Sequence, residues 1–189
     1  MTDHRKREKI PESETCHIYL ALRRNKENPN MDDDKPKVMR RVIRDVMFDL
    51  EILRSNCKAV GGVWRIYQTV NARSFEKANK IFQHKLIDDI DKYYYRLDSL
   101  WKTCLLQKKS RAEKYFLIDL DNEYEYWHIK RWLERNKIIL YRDFPTPNGY
   151  HFITQPFNRN EFELEFPKQI YSEQISISVD GYWFVEMIR

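Results

Sequence analysis

The sequence predicts an α+β protein, in which a mostly antiparallel sheet packs helices on one face and an N-terminal α/β lobe comes before it. Short runs of alternating apolar residues, rich in aromatic and β-branched types, indicate strands. Stretches with apolar residues three and four positions apart indicate helices. The hydrophobic share of 42% over 189 residues is enough for a core. After residue 114 the predicted order is strand, helix, strand, strand, short helix, strand, strand, which is typical of α+β folds.

The N-terminal lobe is predicted at residues 16–110, after a flexible tail at residues 1–15. The three consecutive aspartates at 32–34 precede a predicted helix, and negative charge is favourable at a helix N-terminus. Helical and alternating apolar spacings define the rest of the lobe. Its predicted elements are a strand at 17–24, a helix at 36–55, a strand at 63–70 and helical segments between 75 and 107.

The C-terminal module is predicted at residues 111–189 around one stretch, KYFLIDLD, which has the composition of a buried strand. Asn148-Gly149 and Asp180-Gly181 are dipeptides typical of two-residue hairpin turns. Each therefore predicts a hairpin between the strands that flank it. The predicted elements are the central strand at 114–121, a helix at 123–136, strands at 137–142 and 150–154, a short helix at 159–166, and strands at 174–180 and 182–188.

Two carboxylates interrupt the apolar central strand. Asp119 and Asp121 are two positions apart, so they lie on the same side of a strand. Adjacent anions are costly unless a cation or hydrogen bonds compensate them, and hard divalent metals such as Mg²⁺ take oxygen ligands of this type. An alternative is that Asp121 simply leaves the strand and caps the next helix. That alternative leaves Asp119 unexplained within an apolar run.

The charge of the chain favours an anionic partner. The net charge is +5 and the pI is about 9.0, which is compatible with nucleic acid binding. Lys108, Lys109 and Arg111 form a basic turn before the central strand, either a phosphate-contacting patch or a solvated loop. Arg73 lies near a predicted helix N-terminus, where a bound phosphate would reconcile its positive charge with the helix dipole.

The cysteine pattern and the apolar runs narrow the class of protein. The three cysteines are far apart and form no CxxC pair, which argues against a zinc ribbon or a disulfide framework. Reduced thiols predict a cytoplasmic protein. No apolar run approaches the length of a membrane span, and the charged N-terminus lacks the apolar segment of a secretory signal. We therefore expect no membrane partner.

Polar residues at three strand ends are expected to converge. His151 begins a hairpin strand just after a glycine, and Asp180 follows a late strand. If these strands neighbour the central one, both residues can approach Asp119 and Asp121. Carboxylates for divalent metal and a donor for phosphate are what phosphoryl or nucleotidyl transfer needs. Asp180 also has a purely structural explanation as part of an Asp-Gly turn.

These motifs resemble those of the archaeo-eukaryotic primase superfamily, the primase-polymerases. FLIDLD at 116–121 resembles the family's hydrophobic-Asp-hydrophobic-Asp metal motif, and PNGYHFIT at 147–154 resembles its second motif, in which the histidine contacts nucleotide phosphate. ISVD at 177–180 resembles the third motif, an apolar residue followed by Asp. VWRIYQTVNARS at 63–74 is similar to the strand-then-Asn-x-Arg segment of several small members. The resemblance covers about residues 63–185.

The resemblance implies an RRM-like catalytic module and a DNA primase/polymerase-like nucleotidyltransferase that uses Mg²⁺ or Mn²⁺. Its implied partners are a single-stranded DNA or RNA template, nucleoside triphosphates and a separate replicative helicase. Asp119, Asp121 and Asp180 would be the catalytic metal ligands. The implied nucleotide-binding residues are His151, Arg73 and Asn148, and the implied nucleic-acid-binding residues are Lys108, Lys109 and Arg111.

Two other classes of function remain open. A catalytically inactive primase-like protein would bind single-stranded nucleic acid in replication, with bases stacked on strand aromatics. The candidate stacking residues are Tyr115, Tyr141, Tyr150, Phe152 and Trp183. A metal-dependent nuclease of the rolling-circle initiator kind needs paired histidines, and His151 has no histidine at the required spacing.

Overall fold

The computed structural model describes residues 14–29, 37–43, 46–167 and 174–189, which form an α+β fold with two antiparallel sheets. The predicted tail at 1–15, except for its last two residues, and the acidic run at 32–34 lie outside the described residues. Among the described helices, none is both long and apolar enough to cross a membrane.

Nine strands and six α-helices are described, and short 3₁₀ segments lie between some of them. The strands are β1 (Thr15–Arg23), β2 (Lys37–Ile43), β3 (Trp64–Thr69), β4 (Arg73–Ser74), β5 (Phe116–Leu120), β6 (Leu140–Pro145), β7 (Tyr150–Thr154), β8 (Ile175–Ser178) and β9 (Tyr182–Ile188). The helices are α1 (Val46–Val60), α2 (Phe75–Asp88), α3 (Ile90–Tyr93), α4 (Leu97–Leu106), α5 (Tyr126–Arg135) and α6 (Arg159–Glu165).

The first sheet has the strand order β2-β1-β3-β9, and the short β4 pairs with the start of β1. Helix α1 packs on one face through a core that includes Leu53, Cys57, Trp64 and Ile66. Helices α2 and α4 cover the start of β1 through a second cluster. The face opposite α1 presents Leu20 and its neighbours to a cleft between the two sheets.

The second sheet has the strand order β6-β7-β5-β8. Helices α5 and α6 cover its outer face, where Ile118, Leu120 and Phe152 are fully buried against them. Because side chains alternate along a strand, Leu117 and Asp119 lie on the opposite face, towards the first sheet. Leu117 and Ile153 pack there with Val70, so a small apolar cluster joins the two sheets.

Several predicted elements are confirmed and two are wrong. The central strand, the helix after it and the β6–β7 hairpin through Asn148-Gly149 are confirmed. The predicted helix at 36–55 is wrong in its first half, because residues 37–43 form β2 and pair along β1. The apolar residues of β2 pack into two different clusters on opposite faces, through Met39 and Val42. Because apolar residues stand on both faces of β2, the sequence lacks the alternation that identifies a strand.

The predicted hairpin at Asp180-Gly181 is also wrong. Strand β8 pairs with β5 in the second sheet, whereas β9 pairs with β3 in the first. The Asp-Gly turn therefore carries the chain from one sheet to the other, and the Gly181 carbonyl accepts a hydrogen bond from the Val70 N–H at 3.0 Å. The last strand of the predicted C-terminal module at 111–189, β9, therefore belongs to the first sheet.

Candidate functional site

The candidate site is a cleft of about 280 Å³ between the inner faces of the two sheets. Strands β1, β3 and β9 form one wall, and β5, β7 and the β6–β7 loop form the other. The acidic groups lie on the second-sheet wall, and the arginines lie on the first-sheet wall. The polar residues at the cleft are Arg24, Arg65, Tyr67, Asp119, Asp121, Thr146, Asn148, His151 and Tyr182.

The Asp119 carboxylate lies directly beside the His151 imidazole. The two residues are register partners on β5 and β7, and His151 Nε2 is 3.0 Å from Asp119 Oδ1. The other ring nitrogen, Nδ1, accepts a hydrogen bond from the Phe184 N–H on β9 at 3.1 Å. A ring nitrogen that accepts carries no proton, so in the neutral ring Nε2 carries it, beside the Asp119 carboxylate. The imidazole thus has a defined tautomer and a fixed orientation.

Asp121 follows β5 at the edge of the cleft and is exposed. Partial burial of its carboxyl group, followed by the charge of Asp119, raises the pKa of Asp121 above its ordinary value. Arg24 and Lys26 partly oppose that shift. The prediction that both aspartates share one side of the strand is confirmed, because both line the cleft. A bound cation would stabilise two neighbouring negative charges of this kind.

The β6–β7 loop is held against the end of the central strand by Gly149. A Cβ atom on Gly149 would lie 2.0 Å from the Leu120 carbonyl oxygen and 2.8 Å from the Asn122 nitrogen. Only glycine therefore lets the loop approach the backbone next to Asp121 so closely. Asn148, a predicted nucleotide-binding residue, lines the cleft from this loop and is exposed.

The cations on the opposite wall were not predicted as site residues. Arg24 follows β1 and contacts the Tyr67 hydroxyl at 3.3 Å. Arg65 on β3 is buried, forms an ion pair with Glu27, and leaves its Nε without a hydrogen-bond partner. A signal for Arg24 was present in the sequence. It continues the period-two pattern of Leu20 and Leu22, both of which line the cleft.

The prediction that Asp180 converges with Asp119 and Asp121 is wrong. Strand β8 is antiparallel to β5 with Ser178 beside Leu117, so Asp180 lies past the start of β5. Asp119 and Asp121 lie at the other end. In this register Asp180 lies level with position 115, so it is about 13 Å from Asp119 along the strand, at roughly 3.3 Å per residue. Asp180 therefore does not line the cleft.

Asp180 instead forms a two-pronged ion pair with Arg73. The distances are 3.1 Å from Nη1 to Oδ2 and 2.7 Å from Nη2 to Oδ1, and Arg73 is only 1% exposed. The prediction that Arg73 binds a nucleotide is therefore wrong, because the guanidinium is sealed from solvent. Neighbouring Asn71 bonds the backbone of Tyr115 and Val179, so the Asn-x-Arg segment braces the junction between the sheets.

The residue that the sheet places beside Asp119 on β8 is Ser176. It is the register partner of Asp119 on the side opposite His151, and it is exposed. The position that would supply a third carboxylate to the cleft therefore carries a hydroxyl group. Throughout the described ranges, no three His, Cys, Asp or Glu side chains are arranged to hold a metal ion.

The basic turn lies outside the cleft. Lys108 and Lys109 are exposed on a 3₁₀ turn after α4. Arg111 is partly buried, and its Nη1 donates to the Val179 carbonyl at 2.9 Å, so its side chain supports the chain leading to Asp180. Their nucleic-acid-binding role stays a prediction.

Comparisons of this chain with protein-family models, with curated proteins and with solved structures find no significant match. The basis for a function is therefore the cleft itself. It combines an acidic pair, an oriented histidine and a cationic opposite wall.

Proposed function

We propose that this protein is a DNA primase/polymerase-like nucleotidyltransferase, which uses Mg²⁺ or Mn²⁺ to add nucleotides on a nucleic-acid template. The observation that carries the proposal is the pair Asp119 and Asp121 on one open face of β5, with His151 on the neighbouring strand. The element order β5-α5-β6-β7-α6-β8, with the strand order β6-β7-β5-β8, supports an RRM-like module because it is a split βαβ arrangement.

The residues of the cleft fit a hard divalent cation. Mg²⁺ is usually bound by one or two carboxylates together with water and substrate phosphates, which matches two aspartates in an open cleft. Partial burial, followed by the charge of Asp119, raises the pKa of Asp121, and a bound cation would offset both effects by stabilising the charged carboxylate. When bound, the ion would supply charge stabilisation for the phosphates and the leaving pyrophosphate.

The chain's own residues would orient the nucleotide. The Nε2–H of His151 lies beside Asp119 and can donate to a phosphate oxygen placed in the same cleft. Arg24 faces the acidic pair and offers positive charge to the rest of a triphosphate. With the α-phosphate held in line, a 3′-hydroxyl attacks phosphorus and pyrophosphate departs. The protein contributes positioning and fixed charge.

The proposed partners are a single-stranded template, nucleoside triphosphates and a separate replicative helicase. A template-binding role accords with the net charge of +5. The three cysteines are buried and form no disulfides, which accords with a location in the reducing cytoplasm.

A second candidate is a catalytically inactive primase-like protein that binds single-stranded nucleic acid. The observation that favours it is Ser176, which lies where a third carboxylate would complete a two-metal site. This protein would keep the fold and the cationic surfaces but would make no product.

The test is a primer-extension assay with a single-stranded template, Mg²⁺ or Mn²⁺, and labelled NTPs or dNTPs. We expect extension by the wild type and a loss of at least 100-fold in Asp119→Asn/Asp121→Asn, because charge-stabilising groups contribute on this order. Asp88→Asn/Asp91→Asn removes two exposed aspartates elsewhere and should match the wild type.

Two outcomes would overturn the proposal. Equal product from the wild type and the acidic-pair variant would place the activity elsewhere. Absence of product together with absence of Mn²⁺ binding would favour the inactive candidate.

A further inference from the structure

A second hollow, of about 300 Å³, lies near the other end of the central strand. Its lining includes the aromatic rings of Tyr115, Tyr141 and Trp183. Tyr115 borders it four residues before Asp119, which is about 13 Å along a strand. The lining residues that matter here are Tyr115, Tyr141, Arg142, Trp183, His17 and Glu113.

Tyr141 reaches this hollow because β6 contains a bulge. Leu140 pairs with Thr154 and Arg142 pairs with Ile153, so Tyr141 has no register partner. A bulge on an edge strand re-aims a side chain, and such bulges concentrate near functional sites. The Tyr141 ring lies 4.8 Å from the Tyr115 ring in an edge arrangement and is still 53% exposed. One aromatic face is therefore open to a ligand.

Trp183 and Arg142 form the other side of the hollow. The Arg142 guanidinium lies over the Trp183 ring at 5.6 Å from its centre, and Arg142 is exposed. Trp183 also contacts Phe144 at 4.8 Å, which fixes the indole. An aromatic ring beside an exposed arginine provides both a stacking surface and a phosphate contact.

Polar groups at the floor can recognise the edge of a base. Burial of Tyr115 and its hydrogen bond to Glu113 raise the pKa of Tyr115 to about 12, so the hydroxyl stays protonated and holds the carboxylate. A carboxylate accepts hydrogen bonds from an exocyclic amino group such as that of cytosine. His17 is fixed by its contact with the Thr69 carbonyl at 2.9 Å.

We infer that this hollow binds a nucleobase of single-stranded nucleic acid, which stacks on Tyr141 while Arg142, held over Trp183, contacts the adjoining phosphate. The exposed Lys108 and Lys109 lie five and four residues before Glu113 in the chain, and cations of this kind contact the phosphates of a nucleic-acid backbone. This site does not require the metal. Only the role of the bound strand as a template rests on the proposed function.

The experiment measures fluorescence anisotropy of a labelled single-stranded oligonucleotide with the full chain, in EDTA and at several salt concentrations. A second oligonucleotide of the same length contains abasic sites, so it keeps the phosphates and lacks bases. The variants are Tyr141→Ala and Arg142→Ala. The matched controls are Tyr95→Ala and Arg96→Ala, which remove an exposed tyrosine and an exposed arginine outside the hollow.

We expect Tyr141→Ala to weaken binding of the normal strand roughly 5- to 150-fold, the range for loss of one stacked base. The abasic strand should bind the wild type and Tyr141→Ala equally. Arg142→Ala should reduce the slope of log affinity against log salt by about one. Photocrosslinking with a 5-bromouracil strand should modify the peptide that contains Tyr141 or Trp183.

Unchanged affinity of correctly folded Tyr141→Ala, judged by circular dichroism, would overturn the inference. So would crosslinks confined to other peptides. Failure of the proposed function is distinguishable from failure of this inference. Product formation tests the first and strand binding tests the second, and Asp119→Asn/Asp121→Asn should bind the strand like the wild type whether or not the protein makes product.

Discussion

Aspartates lie near both ends of the central strand β5. They have similar sequence contexts, but the structure compensates their charges in different ways. Asp180, near the start of β5, is almost sealed and its two oxygens are taken by one arginine. Asp119 and Asp121, at the other end, face an open cleft, and the His151 imidazole lies 3.0 Å from the Asp119 carboxylate. The first arrangement is complete without a ligand. The second leaves negative charge available to one.

The comparison separates a charge that is already paired within the fold from charges that are left available to a ligand. A buried ion pair holds its elements in register, and its partners cannot bind anything else without breaking it. At the open end, partial burial and the charge of Asp119 raise the pKa of Asp121. The charged form of this carboxylate is therefore destabilised, and the fold tolerates that cost. Three predictions test this difference.

The largest effect is expected at the sealed end. Asp180→Ala leaves the Arg73 guanidinium buried without its counter-charge, so the free energy of unfolding should fall by about 3–5 kcal/mol. Asp119→Ala should change it by less than about 1 kcal/mol, because the carboxylate is partly exposed. Urea denaturation measures both, and Arg73→Met/Asp180→Leu should recover part of the loss. If Asp180→Ala were stable but bound no Mn²⁺, the structural assignment would be wrong.

A gain of function is expected at the open end. Ser176→Asp places a third carboxylate beside Asp119, and ligand charge count raises the affinity of an oxygen site for a divalent cation. We expect Mn²⁺ affinity, measured by electron paramagnetic resonance, to rise about tenfold, or about 1.4 kcal/mol. Ser178→Asp, two residues along the same strand, is the control. Equal gains in both variants would mean that general negative charge, and not the geometry beside Asp119, attracts the ion.

The smallest effect concerns Asp121 in metal-free buffer with EDTA. Since its pKa is raised in the folded chain, the folded state binds the proton more tightly than the unfolded state does. Wild-type stability should therefore decline as pH rises from about 4 through the raised pKa. Asp121→Asn should lack this decline and be more stable at pH 7 by no more than about 0.5 kcal/mol. Thermal unfolding across pH checks it, and a variant less stable than the wild type at pH 7 would contradict it.

Features with local causes could be predicted from the sequence. The apolar run of the central strand and the period-two placement of Asp119 and Asp121 are confirmed. The hairpin at Asn148-Gly149 is confirmed, since β6 and β7 are neighbours in the chain and pair across the short loop at 146–149. The α+β class followed from the same local patterns.

Features that depend on distant partners could not be predicted. The partner of Asp180 is Arg73, 107 residues away, and no spacing rule connects them. Asp180-Gly181 has the chemistry of a hairpin turn, but a turn does not determine which strand the following segment joins. The helical interpretation of β2 was wrong for a related reason. Its apolar residues pack on both faces of the strand, against parts of the chain distant in sequence, so the local pattern does not show the alternation of a strand.

The pairing of β3 with β9 also governs how the molecule acquires its cleft during folding. Residues 64–69 meet their partner at 182–188 only after the whole second sheet has been synthesised. Such distant contacts form slowly, because closing the long intervening loop costs conformational entropy before the strand pairing can offset it. A nascent chain that stops before β9 can present the acidic pair, yet it lacks the Phe184 N–H that orients His151. The wall opposite the carboxylates is therefore completed late, and the cleft takes its final form only when the last strand joins the first sheet.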